Sequence, residues 1–545
     1  MSRLNKSLFF LLLIIFLAIL LRLYNLGSIP PSLYSDEISQ GYNAYSLLKT
    51  ARDEHGAFLP VSLRSFGDWK PPLATYLMIP AIYLLGLNET SVRIPSVISG
   101  ILTVLFAHLV VRLLSAGRKG AEKISLLSAF ILAVSPWHIL QSRAAMLVAV
   151  ALFFLISGIF FFIKGEKHQK YYYLGTFLLA LSVYAYYGMR VIAPLVLLYL
   201  VIRQKLYSKF KILLISAAFG FITILPLLIA FSRNPDVLFG RAKTVSVFYD
   251  QGTNLRLWEL TTQDGLNANP LITRFFHNRP YLYLKKIAAN FLVHFEGNYL
   301  FFEGDKALPF PIPGMGILYF LDGIFIVVGL FILFKNDLPI KNFIALTLFI
   351  AVVPAALTFM VPSSNRTFNA VFPLSVLSAL GLYALSRNKS CRNAVILILT
   401  VAYISGFAYF TNMYYLLLPN QFAQNWNYGW REAVKYVKDR GAKYDNIVVS
   451  SVNGMPYVYF LFYNKYDPAT FQKKAVRNYA ADRFGFEHVD SFDRFIFPNE
   501  FDFMSAKDNK LKNSLYIVPK AELPPQETSG IDINYPNAKT ALKIF

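Results

Sequence analysis

Two adjacent carboxylates, Asp36 and Glu37, stand in the run Tyr34-Ser35-Asp36-Glu37, about ten residues beyond a strongly apolar N-terminal stretch. Two chemistries fit those letters. Ser35 as cap, with two acids in the first turn, makes a helix N-terminus that the helix dipole favours. A carboxylate held at a membrane surface is equally suited to take a proton as a general base. Further on comes Asp68-Trp69-Lys70-Pro71-Pro72-Leu73, where the prolines restrict the backbone around the lysine. Lys70 there either snorkels to lipid phosphates or holds the phosphate of a lipid-linked molecule. Other polar groups gather where apolar runs end: Ser135-Pro136-Trp137-His138 followed by Arg143; Tyr184, Tyr186, Tyr187 and Arg190; Arg233 and Arg241; and Asn365-Arg366. Arg143, Arg190 and Arg366 either anchor to headgroups or outline a cationic pocket for a phosphate, arginine being suited to bidentate contacts. His294 and Glu296 lie two apart without a third ligand, so no metal site is expected.

The elements that carry these residues follow from composition. The chain has 545 residues, 55% hydrophobic and 16% aromatic, with a mean hydropathy of +0.45. Only 15% are charged, against about 25% in soluble proteins, so a soluble or disordered chain is excluded. One cysteine, Cys391, leaves no intramolecular disulfide and no cysteine-based zinc site. Eleven mostly apolar segments predict transmembrane helices at about 8–25, 94–112, 124–141, 145–163, 171–188, 190–203, 211–230, 316–334, 342–361, 368–386 and 393–412. The sixth is short. Residues 1–25 read as an uncleaved signal anchor.

Charge orients the spans. Alternate connecting segments hold eighteen basic residues against three acidic ones, Glu122, Glu166 and Asp337. Most of the net +22 is therefore positive-inside bias, and a nucleic-acid partner is excluded. This holds if residues 71–88, interrupted by Pro80, lie at the outer surface as a helix instead of crossing. The expected protein is a polytopic α-helical membrane protein of the plasma membrane with a cytoplasmic N-terminus. Residues 1–412 form its transmembrane domain, with outer loops at 26–93 and 231–315. Residues 413–545 form a small extracytoplasmic α/β domain: Arg431–Arg440 has helical spacing, Asn446–Ser451 reads as a buried strand, and Val458–Phe462 and Leu515–Val518 as further strands. It has no glycine-rich phosphate loop.

These pieces, in this order, resemble the GT-C membrane glycosyltransferases, in the branch of protein O-mannosyltransferases and lipid A aminoarabinose transferases (glycosyltransferase family 39 type). The resemblance rests on Asp36-Glu37 after a first span, then Asp68-x-Lys70-Pro-Pro-Leu, Gly86, Arg93-Ile-Pro-Ser, and Ser135-Pro-Trp-His with Arg143. It covers roughly residues 8–240 well and the later spans by pattern; Asn425-Trp426-Asn427-Tyr428-Gly429 also looks like a segment of bacterial members. The resemblance implies a GT-C fold and an inverting transfer of a sugar from a polyprenyl-phosphate donor to an acceptor hydroxyl of a protein, lipid or glycan on the outer face. It implies Asp36 as the base, Glu37 as the neighbour that positions or tunes it, and Lys70 as a donor-phosphate contact, with Arg143 and Arg366 as further phosphate contacts. Asp68, His138 and Arg190 would bind substrate, and neither cofactor nor metal is implied. The chain departs from the oligosaccharyltransferase branch in having no Trp-Trp pair. The competing expectation is a transporter or flippase for polyprenyl-linked glycans. Ionisable residues at span ends and the lack of an inverted repeat favour the transferase.

Overall fold

The computed structural model describes every residue except 1–2, 119, 266–267, 337, 388–391, 453, 483–484, 505–510 and 512. Cys391 and, among the orienting charges, Lys119, Asp337 and Lys389 lie outside the described residues. The chain forms two compact units, neither continuous in sequence. The first takes Met1–Leu21, Ser99–Gln141 and Val148–Phe410; the second takes Arg22–Ile98, Ser142–Leu147 and Thr411–Phe545. The division expected near residue 412 thus gains a second term. The first outer loop, expected with the spans, falls with the C-terminal residues, because its apolar groups pack on theirs.

A helix occupies each of the eleven expected spans. Among the described residues six are long and apolar enough to cross a membrane: Lys6–Leu23, Glu89–Leu114, Leu147–Lys164, Phe210–Arg233, Phe368–Leu385 and Leu397–Gln421. The pair Ala121–Val134 and Pro136–Arg143, bent by 57°, makes a seventh if the two are one broken span. Pro136 lacks an N–H and disfavours helical geometry at Ser135, so the ladder breaks there. The remaining four, Lys170–Val183, Met189–Arg203, Phe320–Lys335 and Lys341–Ala356, have 14 to 16 residues. At about 1.5 Å per residue they are shorter than a core of roughly 30 Å. Leu73–Leu85, at 13 residues around Pro80, is shorter still.

In the first unit the helices Phe320–Lys335 and Val371–Leu385 touch backbone to backbone. A Cβ on Gly329 would lie 2.0 Å from the Leu377 carbonyl oxygen, and one on Gly381 would lie 1.9 Å from that of Phe325. Only glycine permits that approach. The segment 231–315, expected as the second outer loop, is largely helical: Asp236–Val245, Gln251–Gln263, Pro270–Phe276 and Arg279–Val293. Asp250, Asn269 and Asn278 cap the last three by accepting from the Gly252, Leu271 and Tyr281 N–H groups.

The second unit is built on a mixed seven-stranded sheet. Its strands are β3 (Asn446–Val449), β4 (Val476–Asn478), β5 (His488–Phe492), β6 (Phe495–Ile496), β7 (Ser514–Pro519), β8 (Ile531–Asn534) and β9 (Thr540–Ile544), and the numbering leaves β1 and β2 to a hairpin at Leu63–Ser65 and Asp68–Lys70. The order is β4-β5-β6-β3-β7-β9-β8, with β3 parallel to β6 and β7 and the other pairs antiparallel. The helix over 430–440 and the strands at 446 and 514 fall where the pattern puts them. Val458–Phe462 does not: it lies inside a helix, Tyr457–Tyr463. Val458 to Phe462 are all buried, and an apolar run without alternation cannot distinguish a strand from an enclosed helix. The helix Ser35–Thr50 packs on this region closely enough that a Cβ on Gly41 would meet the Phe462 ring at 2.8 Å. Tyr42 meets the Phe471 ring edge-on at 6.0 Å.

Candidate functional site

The first outer loop assembles from the N-terminus of the Ser35–Thr50 helix and the β1–β2 hairpin. Tyr34, not Ser35, occupies the cap position, and Glu37 reaches back to accept from the Tyr34 N–H at 2.9 Å. Glu37 is fully buried; its Oε1 also accepts from Arg93 Nε at 3.1 Å and from the Ala145 N–H at 2.8 Å. Arg93 donates onward to the carbonyls of Leu26, Pro30 and Ser32. Glu37 therefore ties the start of this helix to Arg93 and Ala145.

Asp36 has the opposite surroundings. Its side chain is 53% exposed, and Oδ1 accepts from Lys70 Nζ at 2.5 Å. Lys70 is buried, with Nζ 4.7 Å from the centre of the Phe66 ring. The hairpin makes this pairing possible. Phe66 and Gly67 both have positive φ, 56° and 80°, the twist of a two-residue type I′ turn. Pairing Leu63 with Lys70 and Ser65 with Asp68 puts those four side chains on one face and Arg64 and Trp69 on the other. A short hydroxyl contact between Ser39 and Ser65 ties the hairpin to the helix. Asp68 is half-buried and accepts from the Trp69 N–H. The hairpin's turn is gripped by Glu487, whose N–H donates to the Phe66 carbonyl at 3.3 Å and whose carboxylate takes both Arg64 donors.

Behind this surface lies a group the sequence reading missed, Asp53-Glu54-His55. Glu54 is buried and accepts from Asn43 Nδ2 at 3.0 Å and the Tyr457 hydroxyl at 3.3 Å, and burial raises its pKa. Burial pushes Asp53 up to about 6 and His55 down to about 3. The available signal was local: three ionisable residues together, followed by Gly56, in a chain poor in charge.

The other expected residues separate. Arg143 is fully buried and donates to the carbonyls of Arg22, Tyr24 and Ile29 at 3.0, 2.8 and 2.7 Å, its guanidinium 4.9 Å from the Tyr415 ring. It braces the start of the loop. His138, Arg190 and Arg366 belong to the first unit. His138 is fully buried and stacked on Phe368. Arg190 donates to the Leu238 carbonyl at 2.9 Å with its guanidinium over the Tyr187 ring. Arg366 donates to Thr358 Oγ1 and the Met360 carbonyl. Burial, with the charge of Arg241 adding to it, lowers the Arg366 pKa. Its loop is held by Asp305, which accepts from the Ser364 N–H and hydroxyl, and by His294 Nε2, which accepts from the Ser363 N–H. Among the described residues no group of three His, Cys, Asp or Glu side chains could hold a metal ion.

This architecture is the GT-C fold, shared with solved membrane enzymes at low identity. ArnT from Cupriavidus metallidurans, in the apo state, aligns over 100% of this chain and 98% of its own, with a TM-score of 0.55 and 10% identity. Archaeal oligosaccharyltransferase AglB from Archaeoglobus fulgidus, in complex with an inhibitory peptide and a dolichol-phosphate, aligns over 85% of this chain with a TM-score of 0.51 and 14% identity; this chain spans 64% of its length. Residues 69–229 match the family model described as dolichyl-phosphate-mannose-protein mannosyltransferase, a segment that begins at the Trp69-Lys70-Pro-Pro run. No curated protein sequence matches the chain. The chain is thus a multi-pass membrane protein that resembles the GT-C glycosyltransferases of the mannosyltransferase type.

Proposed function

We propose that the protein is an inverting glycosyltransferase that moves a sugar from a polyprenyl-phosphate donor to an acceptor hydroxyl on the outer face of the membrane. The observation that carries this reading is the pair at the start of the Ser35–Thr50 helix: an exposed Asp36 carboxylate held against a buried Lys70 ammonium. Asp36 takes the proton from the acceptor hydroxyl as its oxygen attacks the anomeric carbon. The bond from that carbon to the phosphate oxygen breaks, and its electron pair leaves with the lipid phosphate. Lys70 stabilises the charge that develops there. The match of residues 69–229 to a mannosyltransferase model and the dolichol-phosphate named with AglB support a polyprenyl-type donor. Asp68, on the same hairpin face as Lys70, is suited to a sugar or acceptor hydroxyl. The reading carries eleven spans, a cytoplasmic N-terminus and an extracytoplasmic C-terminal domain, supported by the basic bias of alternate connections.

The test is sugar release from a radiolabelled polyprenyl-phosphate-sugar by purified protein in lipid. Asp36→Asn should lower turnover by about 10²–10⁴-fold while leaving donor binding nearly intact. Lys70→Ala should weaken donor use. Full turnover in Asp36→Asn would remove it as the base. Tight donor binding without turnover in the wild-type protein would leave the flippase as the better reading.

A further inference from the structure

The second outer loop contains a helix whose exposed side is the wrong kind for water. Along Arg279–Val293 the exposed positions are 279, 280, 281, 284, 285, 288, 289 and 292, and from 281 onward they form a single stripe at helical spacing. They carry Arg279, Pro280, Tyr281, Leu284, Lys285, Ala288, Ala289 and Leu292, six apolar groups and two cations. Asn290 and, just past the helix, His294 are buried, and the half-buried positions are Leu282, Tyr283, Lys286, Ile287, Phe291 and Val293, so apolar groups lie on every side. A helix at an aqueous surface turns charged and polar groups outward instead. The neighbouring Pro270–Phe276 helix continues the pattern, with Leu271 77% and Phe275 74% exposed.

The position of this segment is fixed at both ends. Val247 N–H donates to the Leu357 carbonyl, and Phe359 N–H donates to that of Val245, each at 3.0 Å. At the other end, Asn290 Nδ2 donates to the Ala356 and Thr358 carbonyls at 3.2 and 2.7 Å, and the Phe291 ring packs 5.2 Å from Phe349. Both attachments are at or near the C-terminal end of the apolar helix Lys341–Ala356. The exposed side is therefore continuous with a helix that itself turns Phe349 outward. Between residues 251 and 293 there are five basic residues and two acidic ones. A surface of that charge disfavours a second copy of itself and complements anionic phosphates.

We infer that the helices Pro270–Phe276 and Arg279–Val293 lie in the outer-leaflet interface of the bilayer. Leu271, Phe275, Leu284 and Leu292 enter the acyl region, and Arg274, Arg279 and Lys285 meet the phosphates of anionic phospholipids. This surface is independent of the transferase chemistry proposed above.

The single native cysteine makes the test direct. In a Cys391→Ser background, nitroxide labels are placed on cysteines at Phe275, Leu284, Leu292 and, as a water-facing control, Gln263. The full-length protein is reconstituted in vesicles of phosphatidylcholine and phosphatidylglycerol, and collision with oxygen is compared with collision with a polar nickel chelate. The expected result is oxygen-dominated collision at 275, 284 and 292 and chelate-dominated collision at 263. Arg274→Glu with Arg279→Glu should raise the chelate signal at 275 several-fold, as should vesicles of phosphatidylcholine alone. Chelate access at 275, 284 and 292 in the starting protein would place the stripe in water and overturn the inference. Exclusion of both reagents would mean that protein covers it, with the same consequence. A signal at 275 indifferent to lipid charge would overturn the assignment of the cations to phosphates.

Discussion

Asp36 and Glu37 are adjacent, chemically alike and put to different uses. One is exposed beside an ammonium; the other has both oxygens committed to buried donors. The sequence placed both acids in one first turn, but adjacency on a helix puts neighbouring side chains about 100° apart. That rotation decides which acid meets Lys70 and which meets Arg93. Removing Glu37 leaves a fully buried guanidinium without its charge partner, so Glu37→Ala should destabilise the protein by about 3–5 kcal/mol. Asp36→Asn should cost far less, and thermal unfolding in detergent compares the two. His55 makes the acid stability of the loop testable. With its folded pKa held at about 3, the unfolded chain takes up a proton first, and stability is lost as pH falls from about 6.5 toward 3. Asp53, raised to about 6, acts in the other direction: the folded state binds its proton first, and stability is gained as pH falls from about 6 to 4. His55→Asn should therefore be more stable at pH 5, relative to its own value at pH 7, than the unsubstituted protein is. An unchanged difference between the two pH values would argue against a neutral, half-buried His55.

The β1–β2 hairpin links chemistry to architecture, because Lys70 sits at its end and Glu487 holds its turn. Glu487→Ala should raise the KM for donor several-fold with a smaller change in kcat, and Arg64→Ala should do the same. The double variant should lose little more than either single one, because both act through one ion pair. Steady-state kinetics at varied donor concentration decide it; a fall in kcat alone would mean that Glu487 does not act through Lys70. None of this grip was legible in the sequence, where Arg64 and Glu487 are more than 400 residues apart. Hydropathy located a helix in every expected span, because burial in lipid imposes a long and nearly continuous apolar run. It failed where the environment is mixed. Tyr457–Tyr463 is apolar on all sides without crossing anything, and Pro136 breaks a helix that hydropathy reads as continuous. The recognisable run Asn425–Gly429 turns out to be a tight corner: Asn427 and Gly429 have φ of 53° and 109°, and the chain turns there into the helix Trp430–Arg440.

Across the whole molecule, residues 26–93 depend on residues 411–545 for their interior. Tyr459 donates to the Leu33 carbonyl, Tyr463 to Glu89, and Gln472 to the Asp53 carbonyl. A chain ending at residue 412 should therefore keep its membrane helices but expose the first outer loop to limited proteolysis, with loss of sugar release. Protection of that loop in the shortened chain would show that it folds alone. The sequence reading treated the C-terminal residues as an appended module because composition changes there, and composition records solvent, not partnership. The discontinuity of this unit also bears on how the protein is made. Its first segment ends at Ile98 and its last begins at Thr411, an interval of about 15–60 s at a synthesis rate of roughly 5–20 residues per second. Throughout that interval the residues around Asp36 are a nascent loop without its core. A chain released before residues 411–545 are made would leave residues 26–93 without the side chains that fill their interior.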